Sequence, residues 1–159
     1  MSIQRDSLRV VLVDSYDFCA FCRLPAKYAR EMEGCKLPRV LQLSKDEGDG
    51  GPDSLVVAWT GGVSQAYPDA IEVSRAYVEH LGAQSSDPAV PFLAEVDAWN
   101  YYTVTLLEVT QATQLELTPV DVSDWRLVSA QAGLIEAVLL RQTCVATLGA
   151  TLYICLSSS

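Results

Sequence analysis

The sequence predicts an α+β protein that is mostly β. Three observations lead there. About ten short runs rich in β-branched and aromatic residues lie between turn residues, and only three stretches carry a helical period. Strands and helices do not alternate as a doubly wound sheet requires. With 159 residues, half of them apolar and 19% charged, the chain can bury roughly 70% of its unfolded surface, enough for one good core or two small ones. The same composition excludes disorder.

The elements follow in order. Leu8–Asp14 (LRVVLVD) reads as a buried strand, Asp14-Ser15-Tyr16 as a turn, and Asp17–Cys22 as the returning strand. Pro25 suits the first helical position and Gly34 the position just past the end, so AKYAREME between them predicts a short helix. Pro38–Leu43 alternates like a half-buried strand. Lys45–Ser54 is loop chemistry, Leu55–Trp59 a strand and Thr60-Gly61-Gly62 a turn. Ile71–Val73 predicts a strand running into Ser74, an N-cap for a helix RAYVEHL that Gly82 closes. A Ser/Pro loop at Gln84–Pro91 precedes strands at Phe92–Val96, Thr103–Val109 and Gln114–Leu117, with a hinge at Val109–Thr113. Ser123 caps a helix whose apolar stripe is Trp125, Val128, Ala132, Ile135 and Leu139, with Gly133 placed to bend it. Thr143–Leu148 and Thr151–Leu156 flank Gly149 as a closing hairpin. No internal repeat of fixed period is present.

Charge is unevenly placed. The whole chain carries −9, but residues 1–45 hold 8 basic and 5 acidic groups while residues 46–159 hold 3 and 15. The net charge is wrong for a general nucleic-acid binder. Arg23, Lys27, Arg30, Lys36 and Arg39 place five of the eleven cations within seventeen residues, a candidate surface for an anionic ligand, a lipid headgroup or an acidic partner. A solvated helix face is the bland alternative. The four-residue apolar run near the N-terminus is too short for a secretory signal, and no apolar stretch reaches the ~20 residues of a membrane span. A cytoplasmic setting with five reduced thiols is therefore expected.

Catalytic chemistry finds little footing. Cys19 and Cys22 have redox or zinc spacing, yet they fall in a predicted strand, and Cys35, His80, Cys144 and Cys155 form no second cluster. Buried cysteines acting as small hydrophobes are the ordinary reading. His80, the single imidazole, sits near a helix C-terminus, where a favourable end charge explains it. No phosphate-binding glycine loop is present, the Asp14-Ser15 pair lacks the glycine of an aspartic-protease turn, and the acid pairs Asp46/Glu47 and Asp121/Asp124 suit solvated loops or caps. Neither a catalytic set, a cofactor nor a metal site is expected. The chain reads as a binding domain.

Three segments carry a family resemblance. LRVVLVDSYDFCAFCRLPAKYAREM resembles the opening of the N-terminal domain of the peroxin-1 family, the AAA+ ATPases of peroxisome biogenesis: strand, turn, strand ending in Leu-Pro, short helix. LVVAWTGG followed by IEVSRAYVEHLG is similar to the family's W-x-G strand end and its helix ending in Leu-Gly. LELTPVDVSDWRLVSAQAGLIEAVLLRQ resembles the family's Asp-Trp lead-in to a helix, here at Leu117, Pro119, Ser123, Asp124 and Trp125. Lys45–Ser54 and Asp97–Tyr102 look like insertions, and the final hairpin is shorter than the family's.

The resemblance implies a double-psi β-barrel over residues 1–109, followed over residues 113–159 by a smaller β-rich subdomain with a helix. It implies a noncatalytic domain that docks adaptors, substrates or lipid for ATPase rings elsewhere in a longer chain, with weak phosphoinositide or membrane-surface contact. A peroxin-6-like ATPase would be the partner, extracting ubiquitinated import receptors at the peroxisomal membrane. The alternative is a thiol-based or small-metabolite enzyme on the same barrel.

Overall fold

The computed structural model of the chain describes residues 4–14, 17–44, 54–65, 67–84, 101–148 and 151–156. Six strands, β1 (Gln4–Val13), β2 (Phe21–Leu24), β3 (Arg39–Ser44), β4 (Ser54–Val63), β5 (Ala70–Ser74) and β6 (Tyr101–Leu107), close into a barrel in the order β1-β5-β2-β4-β3-β6. Helix α1 (Ala26–Glu31) follows β2 and α2 (Arg75–Gln84) follows β5. The mostly β, α+β class is thus observed. Among the described strands, closure leaves no open sheet edge for another chain to extend.

Period-2 patterning puts one set of side chains inside. Leu8 and Val10, Cys22 and Leu24, Leu41 and Leu43, Leu55, Val57 and Trp59, Ile71 and Val73, and Tyr102 and Val104 form one buried core. Tyr28 and Ala29 from α1, Met32 just past its end and Val78 from α2 pack against it. As expected, Ser74 caps α2: its Oγ accepts the backbone N–H of Tyr77 at 3.3 Å. Gly34 ends the α1 segment at φ +85°, the left-handed conformation that glycine adopts without strain.

The pairing repeats itself. Strands β1 and β5 run parallel with Arg9 opposite Ala70, and β4 and β2 run parallel with Ala58 opposite Phe21. A shift of 49 residues converts one pair into the other. The same shift carries α1 onto α2, and a shift of 61 carries β3 onto β6: Val40 faces Ala58 as Tyr101 faces Arg9. The barrel is two interlocked β-β-α-β halves related by a pseudo-twofold axis, which passes through the opposed pairs Arg23–Glu72 and Leu43–Val104. Among the strand and helix positions so related, Tyr28 and Tyr77 are the single identical pair, so the sequence displays no repeat.

Several expectations need correction. Residues 60–62 do not turn: β4 runs through them to Val63, Gly61 taking φ +101°. Gly62 is required there because a Cβ would stand 2.9 Å from Cγ of Arg23. Helix α2 continues past Gly82 to Gln84. The return strand starts at Phe21 rather than Asp17, and β6 spans Tyr101–Leu107 rather than Thr103–Val109. The expected strand Phe92–Val96, most of the Lys45–Ser54 loop and Gly149 lie outside the described residues.

The β-rich second subdomain is not what the described residues after Leu107 form. They hold a 3-10 turn (Val122–Asp124), α3 (Trp125–Ala130) and α4 (Ala132–Gln142), and no strand. Gln114–Leu117 is extended without a strand partner among the described residues. In place of a hairpin ladder, the Gln142 side chain clamps the returning chain: Nε2 donates to the Cys155 carbonyl at 2.7 Å, and Oε1 accepts the Cys155 N–H at 2.8 Å. The turn before α3 is capped by Asp121, whose Oδ1 accepts the Ser123 N–H at 2.8 Å, so Ser123 receives the cap rather than making it. The helix breaks at Gln131, two residues before Gly133.

Candidate functional site

The five cations of the basic segment separate into two groups. Lys27 and Arg30 project from α1 into solvent and Lys36 follows in the exposed loop, three cations interleaved with the exposed Glu31 and Glu33. Lys27 Nζ also lies 5.1 Å from the Tyr28 ring centroid. Arg30 lies in the last turn of α1, where a cation offsets the partial negative charge of the helix end. Arg23 and Arg39 belong to the barrel instead. Arg39 stands opposite Trp59 at the barrel's end, its Nε buried. Arg23 lies half-buried against Gly62 and directly opposite Glu72. The exposed anion-attracting group is therefore Lys27, Arg30 and Lys36.

Sequence reasoning missed Glu72, which is only 1% exposed. Its position outside the core, between inward-facing Ile71 and Val73, reads as solvent-facing, but the backbone N–H groups of Gln65 and Tyr67 are turned onto it. Glu72 Oε1 accepts the backbone N–H groups of Gln65 and Tyr67, both at 3.1 Å, and Ser64 Oγ donates to the Ala70 carbonyl at 2.6 Å. A buried carboxylate needs such donors. Here they pin a loop to a strand.

Four of the five thiols, all but Cys35, lie where the C-terminal segment returns to the barrel. The Ala20 N–H donates to the Gln142 carbonyl at 2.6 Å, which brings residues 19–22 and 142–144 together, and the Gln142 clamp adds Cys155. Burial pushes the Cys22 thiol far up, the neighbouring Cys19 adding to the effect, and burial raises Cys19 and Cys144 as well. Protonated thiols are poor nucleophiles. Among the described residues no group of three or more His, Cys, Asp or Glu is placed to hold a metal ion.

His80 has a packing role that its helix position did not suggest. Its ring meets Tyr153 edge-on at 4.9 Å and Phe18 at 5.5 Å, and Phe18 also meets Tyr77 at 5.5 Å. This cluster fastens the C-terminal segment to α2. Asp121 is held below the usual carboxylate range by its bonds to Ser123, as a cap. No helix among the described residues is long and apolar enough to cross a membrane.

Comparison with known proteins finds no matching family model and no matching curated sequence. The architecture stands on its own pairing: a closed, mixed six-stranded barrel bearing a helical C-terminal segment.

Proposed function

We propose that this chain is a noncatalytic recruitment domain of a peroxin-1-like AAA+ ATPase. It presents adaptors or substrates to ATPase rings that work beside a peroxin-6-like partner at the peroxisomal membrane. The barrel would be of the double-psi type, over residues 1–109, with residues 113–159 as a second lobe. One observation supports the reading: two β-β-α-β halves interlock through two parallel strand pairs, β1 with β5 and β2 with β4, each taking one strand from either half, as expected of the barrel that the family resemblance implies. The raised thiols and the loop-pinning Glu72 favour recruitment over the thiol-enzyme alternative.

Pull-down on the immobilised chain from a peroxisome-containing extract tests it. Recovery of peroxisomal proteins, a peroxin-6-like ATPase among them, is the expected outcome; recovery of none overturns the assignment. The exposed Lys27, Arg30 and Lys36 support weak anionic-lipid contact by the same domain, since each cation near an anionic surface contributes about 1 kcal/mol.

A further inference from the structure

Residues 151–156 (TLYICL) carry no charge, run extended and pair with no strand among the described residues. Two fastenings stand out. The Gln142 amide takes both backbone groups of Cys155, Nε2 donating to the carbonyl at 2.7 Å and Oε1 accepting the N–H at 2.8 Å. Two residues earlier the Tyr153 ring meets His80 edge-on at 4.9 Å, and Phe18 meets His80 at 5.5 Å. Both receiving groups belong to the folded body. His80 lies on α2, and Gln142 ends α4, its own carbonyl accepting the Ala20 N–H at 2.6 Å. Residues 152–156 stay only half-buried.

A groove reads an extended peptide in this way. Main-chain hydrogen bonds hold it whatever its side chains, and a pocket two residues away selects one of them. The duplicated barrel shows that the fold does not require the strap. Shifted by 49 residues, His80 becomes Glu31 on α1, which is exposed with Lys27 and Arg30, and that half completes its part of the barrel all the same. We propose that the groove between His80 and Gln142 docks an extended, uncharged segment of a partner protein. That segment places an aromatic residue two positions before the residue that Gln142 clamps. Residues 151–156 are its intramolecular competitor. A second copy offers the same segment, but two chains of net charge −9 repel. The site stands apart from the peroxisomal reading, since the peptide can bind whatever the pull-down recovers.

Tethering gives the competitor an effective concentration of about 1 mM. Against a free peptide with a Kd of about 0.1 mM, it weakens binding to the wild-type chain about ten-fold. The test is fluorescence anisotropy of a labelled peptide of residues 151–156 carrying Cys155→Ser, titrated into the full chain and into its Tyr153→Ala variant. The variant empties the ring pocket, so it should bind the peptide about ten-fold more tightly than the wild type does. A peptide N-methylated at position 155 has no N–H for Gln142 Oε1 and should bind at least about ten-fold more weakly, as should a peptide with Tyr153→Ala. In the wild-type chain, excess peptide should displace the Tyr153 ring from His80, read as loss of its ring-current shift, which needs no variant to fold. Absence of binding to the Tyr153→Ala chain at about 1 mM peptide, or equal binding of the N-methylated peptide, overturns the proposal. So does a dimer in sedimentation that Tyr153→Ala dissolves, which makes a second copy the occupant.

Discussion

Removing the Glu72 carboxylate tests whether the buried charge holds the barrel's outer loop in place. Glu72→Ala deletes an acceptor of two backbone N–H bonds, each at 3.1 Å. Hydrogen bonds to a charged group are worth about 1.5–3 kcal/mol each. The donors belong to the exposed residues Gln65 and Tyr67, so water can replace the lost acceptor and the lower figure applies. That gives about 3 kcal/mol. The one buried methylene that the substitution deletes, Cγ, adds about 0.8 kcal/mol. The expected loss is therefore about 4 kcal/mol, large for a single substitution. Glu72→Gln keeps an oxygen for the same two donors without the charge and should cost about 1–2 kcal/mol.

Urea unfolding followed by far-UV circular dichroism and by the buried Trp59 reads both variants. Arg23→Met retains the stem against Gly62 and removes the charge opposite Glu72, so a double-mutant cycle isolates the coupling, expected at about 1–2 kcal/mol. A Glu72→Ala loss below about 1 kcal/mol would refute the reasoning. Equal losses for Ala and Gln would refute it differently, by showing that charge and not the hydrogen-bond acceptor matters.

The remaining predictions concern packing, thiols and charge. Trp59→Ala should cost about 3–5 kcal/mol by urea unfolding, whereas Trp125→Ala, at a half-exposed site, should cost under about 1 kcal/mol. In iodoacetamide labelling, exposed Cys144 should react before buried Cys22. The Cys22 pKa is raised on folding, so the unfolded chain loses this proton first. Stability should be flat below about pH 9 and fall above it, by at most about 1.4 kcal/mol per pH unit from this group, and a flat alkaline profile would contradict the burial. Lys27→Glu with Arg30→Glu should abolish any co-sedimentation with phosphoinositide vesicles, and wild-type binding should weaken with salt. Gln142→Ala removes both bonds to Cys155 and should open the C-terminal segment to limited proteolysis while the barrel's dichroism stays unchanged.

What the sequence reveals, and what it hides, follows from the range of the interactions. Strands whose two faces differ announce themselves: alternation at Arg39–Ser44 and the Ser74 cap are local signals, and both are where the pattern puts them. The helix stripe at Trp125 misled because periodicity reports amphipathicity and says nothing of what a face meets. Glycine misled at residues 61 and 62, where the chain needs a left-handed residue and room for the Arg23 stem rather than a turn. The C-terminal hairpin pattern misled because of a side chain: a glutamine amide thirteen residues away occupies the Cys155 backbone groups that a ladder would use. Of the candidate site, the exposed cations were legible from spacing alone. Their separation from Arg23 and Arg39 was not, because it depends on register between strands far apart in sequence.

The duplicated skeleton explains which helix is left free. Related by the 49-residue shift, α1 carries Lys27 and Arg30 where α2 carries uncharged Ala76 and acidic Glu79, so Arg30 and Glu79 present opposite charge from equivalent positions. Their aromatic content diverges as well. Tyr77 and His80 on α2 receive Phe18 and, through His80, Tyr153 of the returning segment, while the α1 counterpart of His80 is the exposed Glu31. The C-terminal segment therefore covers the acidic half's helix and leaves the basic one in solvent. Exchanging the pair, with Glu31→His on α1 and His80→Glu on α2, should release Tyr153 from α2 without restoring it on α1, since Phe18 has no aromatic packing there to offer. Nuclear magnetic resonance of the Tyr153 ring should then show loss of its ring-current shift. An unshifted ring would mean that the Gln142 clamp, rather than the aromatic cluster, decides which helix stays open.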